Sequence, residues 1–468
     1  MEFLSGLDAA FLAAETDNMP LNVGGILVFD LGTQSEIESY DGILRVFSAR
    51  LHKLPHFRKK AVNAPLGLVQ PYWIDDLSFS LNNHIHLAFP NEEVDLDQVM
   101  DFASSLMSER LDRSRPLWDL SVIPRVHKNR LVIVARLHHA LTDGITGMEA
   151  LAAIFDVTEE FDRNGQPAAH VPEAPPSQLE VGVRTLIGVS DHVRSFISSG
   201  VSAIKDLPDA LADSDRESTL KLASNLMFVP RRTGANGSIS SERQILSKDI
   251  DLKRVANIAK ANGVKVNDVL ITICHGALVM YLNSHGLSLP DSLIAMVPVS
   301  IHDHSANHES KNKVSALFLT IPTDFEGWRE LLLEVHEITD QAKKALNSGI
   351  GAMFLYNVAD ALPPVLLEVL FRTATGSEIF RFVPPAFNYV VSNVPGPDID
   401  LFLAGNRLER VIPLAPVADG SGITFAFVSY RDVISLGLVT ESALYPGIEE
   451  VDSSIDRILD GLFSVRQS

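Results

Sequence analysis

Cysteine is almost absent. One residue, Cys274, in a chain of 468 excludes intrachain disulfides and cysteine-rich zinc sites, and fits a reducing compartment. Basic residues are also scarce: 39 Lys and Arg stand against 59 Asp and Glu, a formal net charge of -20. That balance argues against nucleic acid as a partner, because phosphate binding needs a basic surface. It also argues against electrostatic docking on anionic lipid as the main membrane force. No uncharged apolar run reaches the ~18 residues of a spanning helix. The nearest, 361–371, is cut by Pro363, Pro364 and Glu368. The opening stretch MEFLSGLDAAFLAAE mixes acids with apolar residues and has no basic n-region, so no signal peptide is expected. The expectation is a soluble or peripheral chain in the cytoplasm.

What is present is apolar material, 46% of residues against 21% charged, enough for sizeable cores in two or three domains or two large ones. The stretch that organises the chain is 131–151, LVIVARLHHALTDGITGMEAL. Its β-branched run, broken only by Arg136, predicts a strand buried on both faces or nearly so. After Gly144 the spacing of Ile145, Met148, Leu151 and Ala152 turns helical. His138 and His139 therefore stand where a buried strand ends, in a short loop before a helix. If the strand persists through the pair, the two rings face opposite sides. One histidine then does chemistry and its neighbour is structural. Asp143 falls near the helix start, where a carboxylate can satisfy free N–H groups or pair with a cation.

The rest reads in order. A short amphipathic helix at 4–15 leads to a strand at 23–29. Its paired glycines, Gly24 and Gly25, fit a close approach by backbone or ligand, and equally a plain bulge. A helix covers 40–51, and 57–60 is a small basic cluster that suits a solvated edge or phosphate contact. His84 and His86 are spaced to share a strand face, without a third ligand that would make them a metal site. The apolar stripe from Leu96 to Leu111 is helical and core-facing. Pro116 breaks it, and a strand at 118–123 should pair with 132–137 through the turn at 127–129. Prolines make 157–177 a loop or crossover. The uneven helical pattern at 179–226 suits packing on protein more than lying on a membrane surface.

Next come a loop at 228–240 with Arg231 and Arg232, a helix at 252–261, and a helix running to about 283 with Asn267 as its N-cap. Strands follow at 293–300 and 314–321, with His302, His304 and His308 in a polar loop between them. Helices are expected at 328–346 and, kinked at Pro363-Pro364, at 352–371. A strand at 387–394, a hairpin through Arg431-Asp432 and a helix at 455–463 close the chain. The expected division is 1–156, a linker with a helical segment at 157–240, and 241–468.

His138, His139, Asp143 and Gly144 spell HHxxxDG. This resembles the active-site motif of the CoA-dependent acyltransferase superfamily, which includes chloramphenicol acetyltransferase, plant alcohol acyltransferases and peptide-synthetase condensation domains. With LDAAFLAAE, PLNVGG, LDRSRPLWDL, VNDVL, SNVPGP and ITFAFVSY in this order, the chain resembles the bacterial wax ester synthase/diacylglycerol acyltransferase family from about Leu7 to Leu438. Asp119 stands where that family commonly has glutamate. His302 stands where PVSLR would place arginine, so an ion pair made by that arginine is in question.

The resemblance implies an α/β fold of two domains like chloramphenicol acetyltransferase, mixed sheets flanked by helices, with a tunnel between them. It implies direct acyl transfer from acyl-CoA, as substrate and not cofactor, to diacylglycerol or a long-chain alcohol. His139 is then the general base, His138 orients it or packs, and Asp143 holds the loop. Asn267, paired with Asp268, is the oxyanion donor, and Pro116, Leu117, Trp118, Gly144, Gly24 and Gly25 belong to the structural or substrate-binding motifs. No metal, no other cofactor and no acyl-enzyme is implied, and Cys274 reads as a core thiol. Peripheral contact with a membrane or lipid droplet is expected. Two other readings stand beside this one: a condensation-type enzyme with a different acceptor, and a non-catalytic lipid-binding protein of the same fold.

Overall fold

A computed structural model describes residues 2–31, 40–141, 153–160, 170–189, 231–301, 313–347, 364–366, 368–369 and 386–464. The first half runs β1 (Glu2–Phe3), α1 (Gly6–Ala14), β2 (Asn22–Asp30), α2 (Tyr40–Arg50), β3 (Lys59–Val62), β4 (Tyr72–Asp75), β5 (Ile85–Leu87), α3 (Leu96–Met107), β6 (Trp118–Val126) and β7 (Arg130–His138). The second runs β8 (Arg243–Asp251), α4 (Leu252–Asn262), α5 (Val266–Ser284), β9 (Ser292–Ile301), β10 (Lys313–Pro322), α6 (Trp328–Asn347), β11 (Tyr389–Pro395), β12 (Phe402–Leu403), β13 (Asn406–Leu414), β14 (Ile423–Tyr430), β15 (Val433–Glu441) and α7 (Glu450–Ser464).

Two mixed six-stranded sheets result, ordered β12-β13-β2-β7-β6-β5 and β10-β9-β11-β14-β15-β8, with a small sheet β1-β4-β3 beside them. The first sheet is not built from the first half alone. Strands β12 and β13 come from the far end of the chain, and β13 pairs antiparallel with β2. Sequence periodicity carries no sign of this crossing, because a strand's pattern says which face is buried and not which sheet it joins.

Strand β7 is buried on both faces, as its apolar run predicts. Leu131, Ile133 and Ala135 pack with Leu27, Phe29, Leu120 and Val122 against Ile43, Val46 and Phe47 of α2. Val132 and Val134 pack on the other side with Ile26 and Val28 against Val99, Ala103 and Met107 of α3 and against Ile245 and Val439 of the second sheet. Arg136 is the exception in the run. Its guanidinium holds Asp119 with two hydrogen bonds of 2.9 and 2.6 Å. It also donates to the carbonyls of Leu106 and Glu109. These lie at the C-terminal end of α3, where backbone carbonyls lack partners within the helix. A buried charge in the middle of a sheet is thus fully engaged, which is the condition for keeping it there. The carboxylate at position 119 is an internal anchor.

In the second half α5 is the core helix. It is long and apolar enough to cross a membrane, but it is 78% buried among protein. Its N-cap is Lys265, not Asn267. Lysine offers no acceptor, so the cap is made from within: Asp268 accepts the Lys265 backbone N–H at 2.9 Å. Asn267 lies one step inside the first turn. The histidine pair also separates. His84 precedes β5 and is buried against Trp118, with ring centroids 4.5 Å apart, while His86 is exposed on β5. Among the described residues no cluster of three metal-ligating side chains forms. The basic cluster is engaged locally: Lys60 pairs with Asp76 at 3.1 Å, and Arg58 lies 5.0 Å over the Phe79 ring. Residues 178–189 are helical, with Val181 buried beside Val69 and Tyr72. His302, His304 and His308, with 190–226 and most of 352–371, lie outside the described residues.

Gly24 stands where β2 lies close against β7. A Cβ there would sit 1.9 Å from the Ala135 carbonyl oxygen, whereas one on Gly25 would sit 3.2 Å from that of Ile412. Gly24 therefore serves a close approach by backbone, and the bulge reading falls. Gly24→Ala should destabilise by about 3 kcal/mol and Gly25→Ala by about 1 kcal/mol or less, since overpacking scales with the overlap that cannot relax. Urea midpoints measured on both variants check this; equal shifts would remove the close-approach argument.

Candidate active site

The strand stops at His138, and a tight turn takes over. The N–H of Leu141 donates to the carbonyl of His138 at 2.9 Å, which closes the turn. Backbone carbonyls on either side fix the histidines. The His138 N–H donates to Leu117 at 2.9 Å, and the His139 N–H donates to Leu21 at 2.8 Å. The PLW and PLN stretches therefore supply backbone acceptors to consecutive histidines. Trp118 is itself fixed, its indole N–H donating to the Phe57 carbonyl at 2.7 Å. Asn22, fully buried and in register with His138, donates to the carbonyl of Glu109 at 2.7 Å.

The two rings part at this point. His138 is completely buried, and its Nδ1 accepts the backbone N–H of Ala140 at 3.0 Å. Burial, above all, and then the neighbouring Arg113, His139 and Arg110, push its pKa down to about 3. A neutral imidazole whose Nδ1 is an acceptor carries its proton on Nε2, an assignment that follows from the bonding pattern. That Nε2 points at Oε1 of Glu15, 3.5 Å away. His139 is half-buried, and its ring lies 4.0 Å from that of Phe11 at an interplanar angle of 31°.

Both contacts come from α1 and the residue that caps its C-terminus, Glu15. Ser5 caps this helix by accepting the Asp8 N–H at 3.1 Å, and Leu12 and Ala9 bury its inner face. Phe11 and Glu15 stand four residues apart, hence on one side of a helical turn. The Glu15 side chain has no exposed surface. Arg113 reaches its Oε2 at 2.8 Å through Nε and 2.6 Å through a terminal nitrogen, and Arg110 reaches it at 3.3 Å. Arg113 also donates to the Leu12 carbonyl at 2.6 Å, near the helix C-terminus.

The residues singled out from the sequence divide accordingly. His138, His139, Pro116, Leu117, Trp118 and Gly24 gather at or beside this turn. Asp143 and Gly144 lie outside the described residues. Asn267 and Asp268 belong to the helix layer of the second sheet. There Asp268 is buried, accepts from Lys265, and meets Nδ1 of His336 at 2.7 Å. Asn267 is half-buried in the first turn of α5. Glu15, Arg110, Arg113, Phe11 and Asn22 were not picked out individually. Phe11 and Glu15 lay inside LDAAFLAAE, Asn22 inside PLNVGG and Arg113 inside LDRSRPLWDL, stretches notable as wholes, while Arg110 stands just ahead of the last.

Residues 4–270 match the wax ester synthase/diacylglycerol acyltransferase catalytic domain, and residues 311–462 match the C-terminal domain of the same family. O-acyltransferase WSD of Acinetobacter baylyi is 28% identical over 454 residues, which cover 94% of this chain and 92% of that one. Among solved structures, the wax ester synthase/diacylglycerol acyltransferase from Marinobacter aquaeolei VT8 aligns with a TM-score of 0.66 at 21% identity, covering 99% of both chains. A starter condensation domain of rhizomide synthetase, solved with C8-CoA, aligns with a TM-score of 0.57 at 13% identity over 100% of this chain and 95% of that one, a likeness of fold. The ordered motifs, the two mixed sheets and these matches agree: the chain belongs to the wax ester synthase/diacylglycerol acyltransferase family of O-acyltransferases.

Proposed function

We propose that the protein moves a long-chain acyl group from acyl-CoA to diacylglycerol or to a long-chain alcohol, with His139 as the general base. The observation that carries this is the division of labour at the turn. His138 is buried and bonded, whereas His139 is half-buried and presented by a backbone held from both sides. An alcohol is a poor nucleophile at neutral pH. An imidazole in reach takes its proton as the oxygen attacks the thioester carbonyl. Collapse of the tetrahedral intermediate breaks the C–S bond, and the imidazolium returns the proton to the departing CoA thiolate. The ester is formed directly. Cys274 is suited to the core and not to acyl transfer, since complete burial pushes its thiol pKa well up. Asn267 is the proposed oxyanion donor, favoured by its place in the first turn of a long helix. Asp143 and Gly144 are assigned to holding the loop after the turn.

Contact with a membrane or lipid droplet is part of this proposal. Leu179, Val183, Leu186 and Ile187 are exposed and share one face of the helix at 178–189, with Leu66 exposed on a neighbouring loop. An apolar face of this kind suits shallow insertion without a basic surface. A Leu179→Glu/Leu186→Glu variant should lose co-flotation with phosphatidylcholine vesicles that wild type shows. Equal flotation of both would remove this face from the proposal.

The central test is CoA release from palmitoyl-CoA with hexadecanol or dioleoylglycerol as acceptor. Release should depend on the acceptor and fall by at least about 100-fold in His139→Ala, the scale of a lost general base. Unchanged release in that variant would leave His139 without the role; no release from wild type with either acceptor would favour the binding-protein reading.

His138 has a separate signature. The unfolded chain binds a proton at this ring near the ordinary value of about 6.5, while the folded chain resists doing so down to about 3. Its contribution to stability is therefore complete above about pH 6.5 and is lost as pH falls toward 3. Between pH 7 and pH 5 the melting temperature of His138→Gln should fall less steeply than that of wild type; parallel curves would contradict a buried neutral ring.

A further inference from the structure

We propose that Glu15 is a positioning residue for acyl transfer: its buried carboxylate, clamped by Arg110 and Arg113, takes the Nε2–H of His138 and so fixes the turn that presents His139. The inference rests on the reading of His139 as base, and extends it to a residue outside the histidine motif.

The argument begins with two atoms. Glu15 Oε1 and His138 Nε2 are both buried, they face each other at 3.5 Å, and neither meets a hydrogen-bond partner. A buried polar atom left unpaired is costly, so two that face each other across a short gap are each other's partner in waiting. The other ends of both side chains are occupied. Glu15 Oε2 is taken by Arg113 and Arg110, and His138 Nδ1 by the Ala140 N–H. The bonding is thus directional. Guanidinium groups orient the carboxylate, the carboxylate selects the Nε2–H form of the imidazole, and the free Nδ1 of that form accepts from the backbone of the turn. Rotating or protonating His138 would break the Ala140 contact, next to the backbone of His139. Phe11, four residues before Glu15, which caps the C-terminus of the same helix, lies against the His139 ring. One short helix therefore sets the tautomer of one histidine and the plane of the other.

A brace between α1 and the loop at 110–113 would use the same ion pairs without acting through His138, and the experiment separates the two. Steady-state kinetics with palmitoyl-CoA and the faster acceptor are measured for wild type, Glu15→Gln, His138→Gln, the double variant and His139→Ala. Melting temperatures are recorded for each. Positioning predicts that Glu15→Gln lowers kcat by about 10-fold with KM for acyl-CoA within about twofold. It also predicts that the same change costs less than about twofold when His138 is already Gln, because residues acting through one another are not additive. Independent, multiplying losses overturn the proposal, as does a wild-type rate or a chain that no longer folds in Glu15→Gln. A second readout needs no Glu15 variant. In wild-type protein labelled with 15N-histidine, the ring signals absent from His138→Gln must show a protonated Nε2 and an unprotonated Nδ1, and the opposite tautomer overturns the proposal. Should His139→Ala keep full rate, the base assignment fails instead, and the tautomer alone decides the Glu15–His138 pair.

Discussion

The turn that carries His138 and His139 is framed by the close pairing of β2 with β7. The two strands lie close where Gly24 has no side chain, and in their register Asn22 stands opposite His138. The residue before Asn22 then has its carbonyl within reach of the His139 N–H. On the other side β6 repeats the arrangement, with Leu117 just ahead of the strand and Trp118 opposite Leu137. A strand end that would otherwise fray is held by its neighbours through main-chain bonds, and these are indifferent to ligand or protonation state. Chemistry placed on such a frame starts from a geometry that costs nothing further to reach.

Charge inside the molecule follows a different rule from charge outside. The surface is strongly acidic, yet buried carboxylates near the turn are met by arginine. Asp119 meets Arg136, and Glu15 meets Arg110 and Arg113. Two of these arginines also collect a backbone carbonyl near a helix end, Arg136 at α3 and Arg113 at α1. The planar guanidinium suits this double duty in a way an ammonium would not. These ion pairs join secondary elements that hydrophobic contact alone would leave free to slide.

Legibility in the sequence followed the range of the interaction. The β6–β7 pair was readable because its turn lies in the chain itself, with Asn129 accepting a positive φ of 56°. The β14–β15 hairpin was readable through Arg431-Asp432 for the same reason. The buried run of β7 announced two covered faces. What could not be read lay across long separations. Glu15 looks like a helix-end acid until the fold places it under His138. Strand β13 has an ordinary apolar pattern that names no partner. Asn267 looked like a cap because asparagine often is one, but the neighbouring Asp268 had a carboxylate with the reach to close on Lys265 from the third helical position. His84 lost its apparent partner because the strand begins one residue later than the spacing assumed.

The crossing of β13 into the first sheet has a consequence for synthesis. While the chain emerges from the ribosome, β2 can already pair with β7, but its other edge stays open until residues 406–414 are made. An open edge is a template for pairing with another chain. Residues 4–270, which match the family's catalytic domain, therefore do not close their own sheet. A nascent chain of that length carries the histidine turn on a sheet whose β2 edge is still unpaired, and unpaired strand edges are where partly folded chains associate wrongly.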